Sequence, residues 1–368
     1  MDAAERRRLT LKGADTILSD TSIRPCERSG TELMRKGSRM DNAARTIDSH
    51  DTGAQGDRPT RFKVAAVQAS PVFLNRDATV EKGCALIAEV ALAGARLAVF
   101  PETWIPGYPA WAMADSRWNH APSKQVHGLL YRNAVEVPGP AVERLCEAAR
   151  RNGIAVVMGI NERMSTGTLY NSMLFIDRDG TLLGTHRKLV PTYHERMVWG
   201  RGDGSTLSVF DSSVGRLGGL VCWEHWMPLA RYTLYAQGEQ VHAAVWPSAP
   251  ETFLLSCRTM AFEGRLFVVA AAGYLTRSML PPDFPLAKEM EALPAELCHG
   301  GSAVIGPDAR FIAGPVYGCE TIVYADIDLD RIPEEKQLLD VAGHYSRPDV
   351  FSLSVNRRRM DPLTWLEA

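Results

Sequence analysis

The chain changes texture at Phe62. Before it, Met1 to Arg61 mixes Arg, Asp, Ser, Thr and Gly with neither a helical nor a strand period, the pattern of a disordered extension. From Phe62 onward, short runs of Val, Ile, Leu and Ala alternate with helical stretches, which is the rhythm of α/β organisation. Strands are predicted at Lys63–Gln68, Leu97–Phe100, Ile154–Ile160, Tyr170–Ile176, Thr181–Thr185, Leu217–Val221, Val241–Trp246, Leu266–Ala272 and Ala303–Ile305. Helices are predicted from an Asp77 cap through about Ala93, over Ala141–Arg151 with a stop at Asn152-Gly153, and from about Pro228 to Gln237. Asp177-Arg178-Asp179-Gly180 is turn chemistry between two strands, so a hairpin, and with it a mixed sheet, is expected there. The expected division is an extension over 1–61, a folded core over 62–330 and a C-terminal extension over 331–368.

Composition then narrows the class. With 45% hydrophobic and 23% charged residues, the chain can bury a substantial core. A formal net charge of -2 creates no field that would gather phosphates, which argues against a nucleic-acid partner and leaves a small molecule. Seven cysteines, an odd number without a CxxC pair, suit neither a disulfide framework nor a zinc ribbon, and a cytoplasmic, reducing location is expected. No run approaches the roughly 20 apolar residues of a membrane span. Arg6-Arg7-Arg8 lacks the apolar stretch that an export signal needs, and the acids scattered through the first sixty residues disfavour a transit peptide. Met34 or Met40 is therefore a candidate translation start, to be checked by intact mass of the natively expressed protein.

Polar residues that terminate apolar runs are the first candidates for chemistry in an α/β protein. Glu102 closes Leu97-Ala98-Val99-Phe100-Pro101, where apolar neighbours would desolvate its carboxylate and raise its pKa toward that of a general base. A capping or ion-paired Glu is the plainer alternative. Lys188 leaves a strand into an aromatic-rich loop; it is either a solvated surface lysine or an ammonium placed over developing negative charge. Cys222 lies between Gly218-Gly219-Leu220-Val221 and Trp223-Glu224-His225, a strand-to-helix turn similar to a nucleophile elbow. A nearby lysine and helix amides would raise its thiolate fraction. Cys84, Cys146 and Cys257 lack such polar neighbours and are expected to be structural.

Taken together, the ordered set Glu102, Lys188, Cys222 resembles the nitrilase superfamily of carbon-nitrogen hydrolases. Phe100-Pro101-Glu102 with Thr103 to Pro109 resembles its first motif; His186-Arg187-Lys188-Leu189 with Glu195-Arg196 and Trp199-Gly200 resembles the second. Cys222-Trp223-Glu224-His225, followed by Met227 to Tyr232, Gln237 to Gln240 and Trp246-Pro247, resembles the third in its microbial nitrilase form. Gly343 to Asp349 is also similar, so the likeness spans about residues 62 to 355.

The resemblance implies a four-layer α-β-β-α sandwich, a homo-oligomer of dimers or larger spirals with contacts from 331–368, and no cofactor or metal. It implies hydrolysis of an organic nitrile to an acid and ammonia, with Cys222 as nucleophile, Glu102 as base, Lys188 as charge stabiliser and Glu195 in support. Tyr108, Trp199, Trp223 and Trp246, with Trp104 and Trp111 nearby, are candidate walls of an apolar substrate pocket, or simply core. An amidase, a nitrile or cyanide hydratase, and a catalytically silent assembly module are the rivals on this scaffold. His194-Glu195-Arg196-Met197-Val198 lacks the second histidine of a zinc motif. A cysteine–histidine pair between Cys222 and His225, His242, His299 or His344 has no local signature.

Overall fold

A computed structural model describes residues 59–361 and 363. The extension up to residue 58 and both candidate starts, Met34 and Met40, lie outside the described residues. In chain order the first strands are β1 (Arg61–Gln68), β2 (Ala95–Val99), β3 (Ala155–Arg163), β4 (Leu169–Ile176), β5 (Leu182–Arg187), β6 (Phe210–Ser212) and β7 (Gly215–Val221). They are followed by β8 (Val241–Trp246), β9 (Phe267–Ala272), β10 (Tyr274–Thr276), β11 (Glu296–Ile305), β12 (Phe311–Tyr317) and β13 (Thr321–Asp328). The helices are α1 (Arg76–Leu92), α2 (Ala121–Asn133), α3 (Pro140–Asn152), α4 (Pro228–Ala236), α5 (Glu251–Gly264), α6 (Ala287–Met290) and α7 (Arg331–Lys336).

The strands form two mixed sheets. One has the order β13-β1-β2-β3-β4-β5; the other runs β10-β11-β9-β8-β7-β6, with β12 paired to β11. Period-two alternation decides which side each residue serves. In β1, Val64 and Ala66 join the cluster that also holds Leu217, Ala244 and Val269 of the second sheet, while Ala65 and Val67 join Val80 and Ile87 of α1 and Leu145 of α3. On the far side of the second sheet, α4 and α5 contribute Leu234, Leu254 and Met260. The result is the expected α-β-β-α sandwich. Burying each of the larger side chains here, such as Val64, Leu217 or Ile87, contributes roughly 1.5–3 kcal/mol, and a one-residue slip in β1 would exchange its two apolar faces.

Two local expectations change. Asn75, rather than Asp77, caps α1, because its side chain accepts from the Ala78 N–H; Asp77 lies in the first turn, where its charge suits the helix N-terminus. The last part of the core needs more strands than the sequence reading found: β10, β12 and β13 were hidden by short length or by half-exposed, irregular patterning. The hairpin at Asp177–Gly180 is present, closed by Gly180 N–H to the Asp177 carbonyl at 2.9 Å. α3 ends as expected on Gly153 in the left-handed conformation.

Candidate active site

Strand direction brings the candidate residues together. β2 and β3 are parallel, β4 is antiparallel to β3, and β5 is antiparallel to β4, so β2 and β5 finish at the same edge of their sheet. Lys188 follows β5 directly, and Glu102 follows β2 by three residues. Cys222 follows β7 of the facing sheet. The site therefore lies between the two sheets, at strand carboxyl ends.

Glu102 is held by the backbone beneath it. Gly159 in β3 lets the loop after β2 lie directly on the strand: a Cβ there would fall 1.9 Å from the Pro101 carbonyl oxygen and 2.7 Å from the Thr103 nitrogen. Asn161, two residues further along β3, donates to the Gly107 carbonyl at 3.1 Å and accepts from Trp199 Nε1 at 2.9 Å, which fastens the rest of the loop. The Glu102 side chain is buried; its Oε1 accepts from Asn171 Nδ2 at 2.6 Å and from Lys188 Nζ at 3.0 Å. Its other oxygen, Oε2, has no hydrogen-bond partner. A buried carboxylate oxygen left unpaired is costly, and here it is free to take a proton from an incoming group.

Lys188 is 1% exposed. Its ammonium bridges Glu102 and Glu195 Oε2, the latter at 2.6 Å. Glu195 sits in the short 3-10 turn Tyr193–Met197 and is itself fixed by the Thr192 N–H at 2.7 Å and by the Tyr108 hydroxyl, which donates to Oε1 at 2.9 Å. A solvated surface lysine is thus the wrong picture of Lys188.

Cys222 opens the short turn Cys222–Trp226 with φ of 56°. Left-handed backbone is uncommon for a residue with a Cβ and is characteristic of strained functional turns. The turn is held by Glu224, which accepts from the Val221 N–H and the Leu189 N–H at 2.8 Å each and bonds His186 Nε2 at 3.0 Å. Glu224 therefore ties the Cys222 turn to the segment that carries Lys188, across the two sheets. The Cys222 sulfur and one carboxylate oxygen each of Glu102 and Glu195 lie within 4.8 Å of one another. Such a trio has metal-ligand chemistry, but the Lys188 ammonium, bonded to both carboxylates, already supplies the local positive charge.

Burial sets the proton affinities. It pushes Glu102 up to about 7; Lys188 opposes this and Glu195 adds to it. Burial also works against the charge on Lys188, yet the anionic groups around it outweigh that effect and hold it above the ordinary lysine range. For Cys222, burial and then Glu102 push the thiol well above its usual value, against Lys188 and the Trp223 amide. The expected enrichment of thiolate by lysine and turn amides is therefore reversed: the resting group is a thiol, because desolvation and a neighbouring carboxylate exceed the pull of one ammonium.

A cavity adjoins Glu102, lined by Trp104, Tyr108, Leu275 and Cys298 among others. Of the four aromatic residues expected at the substrate, only Tyr108 is in its wall. Trp199 packs edge to face on Tyr108 at 5.9 Å and holds Asn161, so it supports the wall from behind. Trp246 is fully buried, stacked between His225 and Phe253. Trp223 is half-exposed against Phe253, and its backbone rather than its ring faces the sulfur. Asn161 and Asn171 escaped the sequence reading, and Glu224 was read as part of the Cys222 motif without a role of its own; the available signal was an amide or acid embedded in, or just after, a run of apolar strand residues.

Residues 63–337 match the carbon-nitrogen hydrolase family. The chain belongs to it. A nitrilase from Bradyrhizobium diazoefficiens is 41% identical over 303 residues, covering 82% of this chain and 94% of that one. A bifunctional nitrilase/nitrile hydratase from Nicotiana tabacum is 38% identical over 320 residues, covering 86% and 91%. Among solved structures, a carbon-nitrogen hydrolase from Helicobacter pylori superposes with a TM-score of 0.61 at 19% identity, over 76% of this chain and 93% of that chain, a likeness of fold. In this carbon-nitrogen hydrolase, no helix among the described residues is long and apolar enough to cross a membrane.

Proposed function

We propose that this hydrolase converts an organic nitrile to its carboxylic acid and ammonia through a covalent bond to Cys222. The observation that carries the reading is the convergence of the Cys222 sulfur with the Glu102 and Glu195 carboxylates around a buried Lys188 ammonium. Nitrilases at about two-fifths identity over most of both chains support the same substrate class.

A nitrile carbon is a weak electrophile, which calls for a soft nucleophile, a proton donor for the nitrogen and a base for water. In the first step the Cys222 sulfur adds to the carbon as its proton passes to Glu102, and Glu102 returns a proton to nitrogen, giving a thioimidate. Glu102, whose proton affinity lies close to neutrality, then takes a proton from water as it attacks. Glu102 passes that proton to the nitrogen, the tetrahedral carbon expels ammonia as its hydroxyl proton also moves to nitrogen, and the thioester left behind is broken by a second water, whose proton returns through Glu102 to the Cys222 sulfur as the acid is released. Lys188 and the Trp223 N–H stabilise the charge on each tetrahedral species. Glu195 holds Lys188 in place. The cavity beside Glu102, walled by Trp104, Leu275 and Tyr108, takes the apolar substituent of the nitrile. The chemistry requires no cofactor.

The tobacco relative, named for both activities, favours a second outcome: the tetrahedral carbon expels sulfur instead of ammonia and the product is the amide. Acid, amide and ammonia measured from one nitrile separate the two routes. The reading extends to a homo-oligomer in the cytoplasm, supported by the exposed apolar residues Tyr345, Val350 and Phe351 near the C-terminus and by the free cysteines of the described residues.

Cys222→Ala is the decisive variant. It is expected to release no ammonia while unfolding at the wild-type temperature, and wild-type protein quenched during turnover should carry the substrate's acyl mass on Cys222. Ammonia release by the variant at the wild-type rate would overturn the assignment.

A further inference from the structure

Behind the nucleophile, three buried groups form a chain that the mechanism above does not use. His225 Nδ1 lies 2.6 Å from the carbonyl oxygen of Cys222. His225 Nε2 lies 3.0 Å from His242 Nε2, and His242 Nδ1 lies 2.7 Å from Glu239 Oε1. Gly218 of β7 makes the space for that carboxyl, since a Cβ there would fall 2.1 Å from Glu239 Oε1. Glu239 Oε2 is buried without a partner.

The donors along this chain follow from its end. A carbonyl oxygen only accepts, so His225 Nδ1 carries a hydrogen and, in the neutral ring, Nε2 accepts. A neutral His242 then donates from Nε2 and accepts at Nδ1, so that Glu239 donates, which a carboxyl does only when protonated. Burial independently favours the same state: it raises Glu239 well above the carboxylate range and lowers both histidines to about 3. A neutral carbonyl oxygen at Oε2 also costs far less to leave unpaired than an anion.

We propose that Glu239, His242 and His225 are positioning residues that fix the plane of the Cys222–Trp223 peptide and thereby aim the Trp223 N–H at the reacting centre. In a trans peptide the C=O and N–H point to opposite sides. Holding the Cys222 carbonyl at the back consequently turns the Trp223 N–H to the front, toward the sulfur and the nitrogen of the adduct. The hold matters because Cys222 sits at a positive φ, from which an untethered peptide would relax. His225 is itself firmly placed, since its ring stacks on Trp246 at 4.8 Å and Arg231 Nη1 donates to its backbone carbonyl at 2.8 Å. Glu239 and His242 serve to keep the hydrogen of His225 on Nδ1.

The inference rests on the covalent reading of Cys222, and the test separates the two. Alkylation of the sulfur by iodoacetamide needs the thiol but no hydrogen-bond donor for a developing nitrogen anion; addition to a nitrile needs both. Rapid-quench intact mass would follow adduct formation with a saturating nitrile, beside the alkylation rate, for wild type, His225→Leu, His225→Asn, Glu239→Gln and Glu239→Leu. Expected for His225→Leu is a fall in adduct formation of about 100-fold, the scale of one lost oxyanion donor, with alkylation within about threefold of wild type. His225→Asn, which can still donate to the carbonyl, should recover at least about tenfold of that loss. Glu239→Gln should lose less than Glu239→Leu. Equal losses in adduct formation and alkylation, or an Asn variant no better than Leu, would overturn the relay. Absence of any adduct in wild type would instead remove the covalent reading, and the relay with it.

Discussion

Replacing Lys188 by Met tests the electrostatics of the site most directly. The side chain keeps its unbranched reach as far as Cε and loses its ammonium, in a position where Nζ lies 3.0 Å from one carboxylate and 2.6 Å from another. Two effects follow. Loss of a donor to the tetrahedral nitrogen or oxygen costs about 2.7–4 kcal/mol, a fall of roughly 100- to 1,000-fold in kcat. In addition, the Coulomb attraction across 3.0 Å at an effective dielectric constant of about 20 is roughly 5 kcal/mol, an upper bound on what Lys188 contributes to keeping Glu102 ionised. Glu102 already stands at about 7 with the ammonium in place. Without it, the proton affinity moves upward by as much as about four pH units. A base works only when deprotonated, so the ascending limb of kcat/KM should move upward from near pH 7. The assay is ammonia release from one nitrile between pH 5.5 and 9.5, with thermal unfolding as the control for folding. A variant whose limb stays at or below pH 7, or whose kcat falls less than tenfold at its optimum, would refute the assigned role of Lys188.

Two further outcomes are expected. Glu102→Gln should abolish turnover yet raise stability at alkaline pH. The native carboxyl, at about 7 against an ordinary 4.5, keeps a proton that the unfolded chain releases. Its stabilising contribution is full below pH 4.5 and is lost as pH rises through 7, a change of about 3 kcal/mol, so the gain in Tm should be present at pH 8 and absent at pH 4.5. Gly159→Ala touches no reacting group, but its methyl would meet the Pro101 carbonyl and the Thr103 amide. It should cost about 1–3 kcal/mol of stability by overpacking and about 100-fold in kcat by displacing Glu102, and wild-type kcat in this variant would show that the loop is not held as described.

The sequence was most legible where one period or one junction carried the information. Val241–Trp246 reads as a buried strand because five of its six residues are apolar, His242 being the sixth, and it is found at those bounds. The three reactive groups were visible as polar residues stopping apolar runs. The sequence could not show that β5 runs in the same direction as β2, since that depends on two successive antiparallel pairings, and it is this direction that brings Lys188 to the same end of the sheet as Glu102. Nor did it separate Trp104 and Tyr108, which wall the cavity, from Trp199 and Trp246, which do not. All four are aromatic residues close to motif loops, and only the third dimension says which side of a loop each takes. The direction of the Cys222 shift was misjudged for a related reason: a count of nearby charges favours the thiolate, whereas full burial favours the thiol.

That last result bears on how the nucleophile works. The buried cluster holds the Cys222 thiol, the Lys188 ammonium and the carboxyl of Glu102. Releasing the thiol proton to water would add one negative charge to it, in a place where unbalanced charge costs several kcal/mol. Passing the same proton to Glu102 leaves the total unchanged. The proton is therefore held inside the cluster, and the two acids are mutually exclusive in their charged forms, as closely spaced anions in a poorly solvated site must be. A thiol that resists titration in the free enzyme is for this reason compatible with fast attack: the thiolate arises only as Glu102 becomes neutral, at the moment the nitrile carbon is there to receive the sulfur. The same exchange leaves Glu102 holding the proton that the nitrile nitrogen next requires, with Lys188 still charged beside it.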